Sequence, residues 1–185
     1  MERPARVVLL NGVGSAGKSS IAKALQAITA EPFLHVEMDA FLRMLPEASF
    51  GQTDGLTFET VHHGGKPSVV IRTGPVAARV FRGMRHAIAA MAGQGNDLIV
   101  DDVLVGPERA EYAELLLPFE VFLVGVFAPL EVLEARERER GDWMIGLARW
   151  QYDRVHAGMR YDLTVDTSRA SAAECARMVK ERFGL

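Results

Sequence analysis

Cysteine is almost missing from this chain. Cys175 stands alone among 185 residues, so no internal disulfide can form and a reducing cytoplasm is the expected compartment. Long apolar runs are missing too: none approaches the ~20 residues that a membrane-spanning helix needs. Met1 to Arg6 is polar and leads directly into the first expected strand, which argues against a signal peptide. Neither sign of charge dominates, and a net charge of −3 gives no electrostatic reason to bind nucleic acid or an anionic membrane. Lysines are few, and most basic residues are arginines. There is no internal repeat, low-complexity tract or long linker, so residues 1–185 are expected to form one domain with a substantial core. A hydrophobic content of 49% with 24% charged residues is ordinary for a soluble globular protein. His62 and His63 form no metal spacing with other ligands and read as turn residues.

What is present starts with Gly12-Val13-Gly14-Ser15-Ala16-Gly17-Lys18-Ser19, which fits G-x-x-x-x-G-K-[ST]. An apolar run, Arg6 to Leu10, precedes it, and the helical pattern from Ser20 to Ile28 follows it. That strand–loop–helix order is what a phosphate cradle requires. Gly12 and Gly17 allow a tight turn that brings backbone N–H groups against phosphate oxygens at a positive helix end. Lys18 reaches the β- and γ-phosphates as a mobile point charge, and the Ser19 hydroxyl is a candidate Mg²⁺ ligand. The pattern implies binding of a nucleoside triphosphate, with the backbone from Gly12 through Ser20 as the phosphate-binding set.

Short apolar runs then alternate with longer periodic segments. This predicts an α/β fold of three layers, a P-loop kinase fold with a central, mainly parallel sheet of about five strands. In such sheets ligands gather at the carboxyl ends of the strands. Asp39 and the pair Asp101-Asp102 all lie just past expected strand ends, on the rim that carries the phosphate loop. Residues 48–73 fit the alternation poorly. Phe58 to Val61 and Ser68 to Arg72 are expected to pair through the His63-Gly64-Gly65-Lys66 turn, as a hairpin over the site or a passive surface loop.

Phosphoryl transfer is mostly positioning and charge neutralisation, with one group to take the acceptor's proton. Asp39, among Val36, Met38, Phe41, Leu42, Met44 and Leu45, suits that role because partial desolvation raises a carboxyl pKa. Its competing role is to cap a helix starting at Ala40. Ile99-Val100-Asp101-Asp102-Val103 reads as a Walker B strand. Strand alternation sends its two carboxylates to opposite faces, and either can serve the metal. Arg136 and Arg140 share a helix face and repel one another unless an anion lies between them, so they read as lid arginines over a triphosphate. The lid spans about 136–147, with Gly141 and Gly146 giving hinge freedom, while Glu134 and Arg138 are spaced for a surface ion pair. Phe41, Met44, Arg79 and Asp102 are the candidate acceptor contacts beside Asp39. Apolar residues near Asp39 favour an acceptor carrying an apolar ring, and Arg43, Arg72, Arg79 and Arg82 keep an anionic metabolite or nucleotide open.

With these residues in hand, the chain resembles the chloramphenicol phosphotransferase family of P-loop kinases. The likeness rests on Leu10-Asn11-Gly12 leading into the loop, on Asp39 with the turn at Leu45-Pro46, and on the Asp101-Asp102 strand. It continues through Val124-Gly125-Val126, Arg138-Glu139-Arg140-Gly141-Asp142, His156-Ala157-Gly158-Met159-Arg160-Tyr161-Asp162-Leu163 and Val165-Asp166-Thr167-Ser168. The resemblance implies an ATP- and Mg²⁺-dependent kinase that phosphorylates an alcohol on an aromatic antibiotic, with Asp39 as catalytic base. It also implies that Asp166 and Thr167 lie beside the adenine. Gly14 stands where the family commonly has serine, and Trp143 where an arginine is expected. The other readings are a kinase of another small metabolite, such as a sugar, a shikimate-like compound or a nucleoside, and a nucleotide switch without phosphotransfer. The latter lacks the N-K-x-D guanine signature. The arginine-rich helix surface leaves room for a second copy of the chain.

Overall fold

The structure is a computed structural model and describes residues 3–63, 65–106, 108–141 and 144–185. Its centre is a five-stranded sheet in the order β2-β5-β1-β6-β7, with every neighbouring pair parallel. The strands are β1 (Arg6–Gly12), β2 (Phe33–Glu37), β5 (Asp97–Asp102), β6 (Glu120–Phe127) and β7 (Leu163–Asp166). Between them run α1 (Lys18–Gln26), α2 (Met38–Leu42), α3 (Pro75–Gly93), α4 (Glu108–Leu115), α5 (Leu130–Arg140), α6 (Leu147–Val155) and α7 (Ala172–Phe183).

Continuous burial on β1 from Val7 to Gly12, with side chains alternating between two cores, shows why this sheet needs helices on both faces. Val8 and Leu10 point into one core with Ile21 and Leu25 of α1 and Cys175, Ala176 and Val179 of α7. Val7 and Leu9 point into the other, with Met84, Ile88 and Ala92 of α3, Tyr112 of α4 and Leu116 just beyond it. Full burial of a leucine or isoleucine contributes about 1.5–3 kcal/mol, so these two layers dominate what holds the rim residues in place. Cys175 is a buried core residue, as the final helix pattern implies. That helix starts with a complete capping box between Ser171 and Glu174.

The irregular stretch contains a two-stranded antiparallel hairpin, β3 (Leu56–His63) and β4 (Lys66–Thr73), with Val61 opposite Ser68. His62 and the His63 backbone belong to β3 rather than to the turn, and Gly64 lies outside the described residues. A third apolar cluster, Leu42, Leu45, Leu56 and Ala77, seats the hairpin against α2 and α3. On its other side, Val69 N–H donates to Gly146 O at 2.9 Å, at the start of α6.

Two local expectations change. Helix α2 begins at Met38 with Glu37 as its N-cap, so Asp39 sits inside the first turn and is not the cap. Glu134 pairs with Arg149 and lies 4.0 Å from Lys66, whereas the expected partner Arg138 is exposed to solvent. Tertiary neighbours across α6 and β4 win over the i,i+4 pair because they meet a half-buried carboxylate. Among the described residues, no helix is long and apolar enough to cross a membrane.

Candidate active site

The carboxyl ends of β1, β2 and β5 deliver Gly12, Glu37 and Asp102 to one rim, with Glu37 in register beside Asp101. Beyond β1 the chain turns through Gly17, whose φ of 91° is the left-handed region that favours glycine, and enters α1. The first-turn N–H groups of α1 have no intrahelical acceptors. Lys18 is 6% exposed, and its Nζ donates to Gly12 O at 3.0 Å and Val13 O at 3.1 Å. The same ammonium lies 3.7 Å from Asp101 Oδ1, and Ser19 Oγ donates to Asp101 Oδ2 at 2.5 Å. Val13 and Ala16 are buried in the core beneath the loop and contribute backbone only.

The two aspartates separate as strand alternation demands. Burial pushes the Asp101 carboxyl up, but Lys18, His35 and Ser19 outweigh it and hold the group below its ordinary range. His35 lies between acids, with Nε2 3.7 Å from Asp101 Oδ2 and Nδ1 3.4 Å from Glu37 Oε1. Asp102 turns to the other face, where Oδ2 accepts from the Tyr112 hydroxyl at 2.8 Å and Oδ1 from Val103 N–H at 2.7 Å. Burial pushes Asp102 up to about 6, against the pull of those donors, Arg85 and Lys18. Arg85, itself buried, pairs with Glu111 at 2.5 Å.

Asp39 is half-buried in the same rim. Burial raises its pKa and the charge of Asp101 adds to that, while Lys18, Arg140 and Arg43 act against it; the net shift is upward. A cavity of about 1230 Å³ runs from the loop residues Gly14, Ser15, Gly17, Lys18, Ser19 and Ser20 past Asp39 to the hairpin and α3. At its far end Met38, Leu42, Leu56, Phe58, Ile71 and Phe81 form an apolar wall, and Arg85, Asp102, Glu108 and Glu111 form a polar one.

On the opposite side of the loop, Arg136 donates from Nη1 to Thr167 Oγ1 at 2.9 Å and from Nη2 to Thr167 O at 2.8 Å. Thr167 Oγ1 donates in turn to Ala16 O at 2.9 Å. Arg136, Arg140 and Thr167 all line the cavity; Asp166 does not, and accepts from Ser168 instead. Asp142 and Trp143 lie outside the described residues.

Three expected acceptor contacts do not reach this cavity. With α2 starting at Met38, the i,i+4 pair Met38 and Leu42 faces it, while Phe41 packs toward α3 and Met44 is 68% exposed. On α3, Ala78, Phe81 and Arg85 (i, i+3, i+7) face it, which turns Arg79 to solvent. The sequence signal for Arg85 was its place beside Met84 and Ile88, on the apolar stripe.

Sequence reasoning also missed a polar brace beneath the loop. Asn11 Nδ2 donates to Val155 O and to Tyr161 Oη, both at 2.8 Å, and Asn11 Oδ1 accepts from Leu104 N–H at 2.9 Å. Tyr161 Oη lies 2.7 Å from His156 Nδ1, and the His156 ring stacks on Phe127 with centroids 3.8 Å apart. Burial, with the Lys18 charge nearby, lowers the His156 pKa to about 4, so the ring is neutral and structural at neutral pH. The His156…Tyr161 spacing therefore supports β1 from below rather than supplying an acid or base.

The family model for chloramphenicol phosphotransferase-like proteins matches residues 5–184. Over 96% of its length the chain is 32% identical to Mycobacterium tuberculosis proteins, from two strains, that are named as O-phosphotransferases, and it spans 82% of theirs. Among solved structures it is similar to a sugar kinase of Janibacter (TM-score 0.68, 20% identity, 98% of this chain and 95% of that one). It is equally similar to the APS kinase of Mycobacterium tuberculosis (TM-score 0.69, 18% identity, all of both chains). Those two likenesses carry the fold: the parallel sheet, the phosphate loop and the flanking helices are those of the P-loop kinases. The chain belongs to the chloramphenicol phosphotransferase-like family and is a P-loop phosphotransferase.

Proposed function

We propose that the chain moves the γ-phosphate of MgATP to a hydroxyl of a small aromatic alcohol, chloramphenicol or a compound like it. The observation that carries this reading is Asp39, half-buried with a raised pKa, in one cavity with Lys18, Ser19 and Asp101. The donor set fits the cofactor. Lys18 and the N–H groups opening α1 are built for phosphate, and Ser19 with Asp101 offers hard oxygen ligands of the kind Mg²⁺ takes beside substrate phosphates. Bound there, the metal neutralises charge on the β- and γ-phosphates. Asp101, held ionised beside Ser19, is the metal-side carboxylate; Asp102, bonded to Tyr112, serves the acceptor side.

The reaction joins the acceptor oxygen to the γ-phosphorus as the bond to the β,γ-bridging oxygen breaks and ADP leaves. Asp39 takes the acceptor's proton, and Lys18 and Arg140 offset charge on the transferring group. Arg136 and Arg140 of the segment 136–147 cover the nucleotide as a lid already in place, and the hairpin within 48–73 walls the acceptor. The apolar wall of Leu42, Phe58 and Phe81 takes the ring, and the polar wall takes its hydroxyl or amide donors. We read the protein as cytoplasmic, with no nucleic acid or membrane partner.

Transfer from ATP across a panel of alcohols tests the acceptor, read as ADP release and phosphate ester by mass spectrometry. Phosphorylation of chloramphenicol or another phenylpropanoid-like alcohol is expected. Turnover of a sugar or nucleoside with none on any aromatic alcohol overturns this reading in favour of a metabolite kinase, for which Arg43 and Arg85 at the cavity would supply anion contacts. Hydrolysis without any acceptor would point to the switch.

Arg136 gives a second test. Its two hydrogen bonds to Thr167, on the far side of the loop from Asp39, support reading it as a nucleotide-side residue. Arg136→Ala is therefore expected to raise the KM for ATP about tenfold, the scale of one lost charged hydrogen bond to a bound phosphate, with a smaller change in acceptor KM. Unchanged ATP kinetics would return Arg136 to a structural tie.

A further inference from the structure

We propose that Gln151 is a positioning residue of the phosphate loop: its side-chain carbonyl holds Gly14 N–H and so keeps the cradle in its binding shape. Gln151 is 5% exposed on the buried stripe Ala148, Gln151 and Val155 of α6, the only amide on it, and its Oε1 accepts from Gly14 N–H at 2.7 Å. The next residue, Ser15, has a φ of 65°, which among the described residues is the only positive φ outside glycine. A non-glycine residue persists there only where its surroundings over-determine the backbone.

Two fixtures do that here. Lys18 Nζ holds the carbonyls of Gly12 and Val13, and Gln151, reaching in from α6, holds the amide of Gly14. The amide that Gln151 takes is thereby committed to the protein, while the N–H groups opening α1 are left for phosphate. Gly14 is matched to this contact, because a Cβ there would stand 3.3 Å from Gln151 Oε1.

The opposite end of α6 is fixed as well. The buried Glu137 carboxylate accepts from Gly146 N–H at 2.8 Å and Ala148 N–H at 2.7 Å, and Gly146 O accepts from Val69 of the hairpin. One helix therefore registers the loop against the strand that walls the acceptor. The inference rests on the reading of the loop as the MgATP site.

Calorimetric titration with MgATP tests it, with thermal unfolding as the control. Gln151→Leu, which keeps the volume but removes the acceptor, is expected to weaken MgATP about tenfold. Gly14→Ala, which crowds the oxygen, is expected to weaken it about threefold, and the double variant by less than the product of the two. Wild-type affinity in Gln151→Leu at an unchanged unfolding temperature overturns the proposal, as do independent effects in the double variant. Should Gln151→Leu fail to fold, wild-type affinity in Gly14→Ala overturns it alone. A wild-type chain that binds no MgATP would instead refute the reading of the loop itself.

Discussion

Lys18→Ala is expected to reduce turnover by about a thousandfold, the scale on which removing one preorganised stabiliser of developing charge acts in a water-poor site. Lys18 is nearly buried, and its ammonium sits among Gly12 O, Val13 O and Asp101 Oδ1, so the charge is already fixed before any phosphate arrives. The loss should fall on kcat more than on the KM for ATP, because the loop's N–H groups still bind the phosphates. Lys18→Arg should not rescue, since a planar guanidinium cannot reproduce a point charge between two converging carbonyls. Lys18→Ala also removes a cation that holds both Asp101 and Asp39 down, so their pKa values should rise and residual activity should need a higher pH. Single-turnover transfer at saturating MgATP measures this. A variant with wild-type kcat would show that the charge is not used in the transfer step.

The loop, the alternation of strands and helices behind the parallel sheet, and the hairpin were legible because each rests on local chemistry. The glycine–lysine–serine spacing dictates a cradle, and β-branched runs bounded by turn residues dictate strands. The same is true of the capping box at Ser171. What failed was phase. Moving the start of α2 from Ala40 to Met38 rotates assignments by about 100° per residue, enough to exchange Phe41 for Leu42 on the cavity wall. The same holds on α3, where the buried stripe of Met84 and Ile88 carries Arg85 inward against Glu111 and leaves Arg79 outside. Gln151 and Asn11 were illegible for another reason. Each acts through a partner more than a hundred residues away, Gly14 in one case and Val155 and Tyr161 in the other.

The paired aspartates show how far sequence goes and where geometry takes over. Alternation alone separates them onto two faces, but only the Ser19 and Lys18 contacts tell which face holds the phosphate loop. The result is two carboxyls one residue apart with opposite tendencies, Asp101 held below its ordinary range and Asp102 pushed up to about 6. Environments that push neighbouring acids apart are how one site keeps a permanent anion for a metal and a weaker acid elsewhere.

Asp39→Asn is expected to lower kcat by about a hundred- to ten-thousandfold while leaving MgATP binding near its wild-type value. The amide preserves the size and the first-turn position of the residue in α2 but cannot accept the acceptor's proton. Helix capping does not confound the comparison, because Glu37 is the N-cap. The pH profile supplies the second readout. A group whose pKa is raised by burial is protonated at a higher pH than an ordinary carboxylate, so wild-type kcat should fall on the acid side above the ordinary aspartate range. In the asparagine variant the part of that limb that Asp39 supplies should vanish, leaving only what Asp102, pushed up to about 6 in the same cavity, contributes. Folding stability moves in a defined direction too. A carboxyl with a raised folded-state pKa favours the folded state most when protonated, and that contribution is lost as pH rises through the folded value. The substitution should therefore leave stability at neutral pH unchanged or slightly higher, which separates a catalytic loss from a folding defect. Retention of most of the wild-type rate, or an acid limb unchanged in position and depth by the substitution, would remove Asp39 from proton transfer and leave positioning and charge neutralisation to carry the reaction.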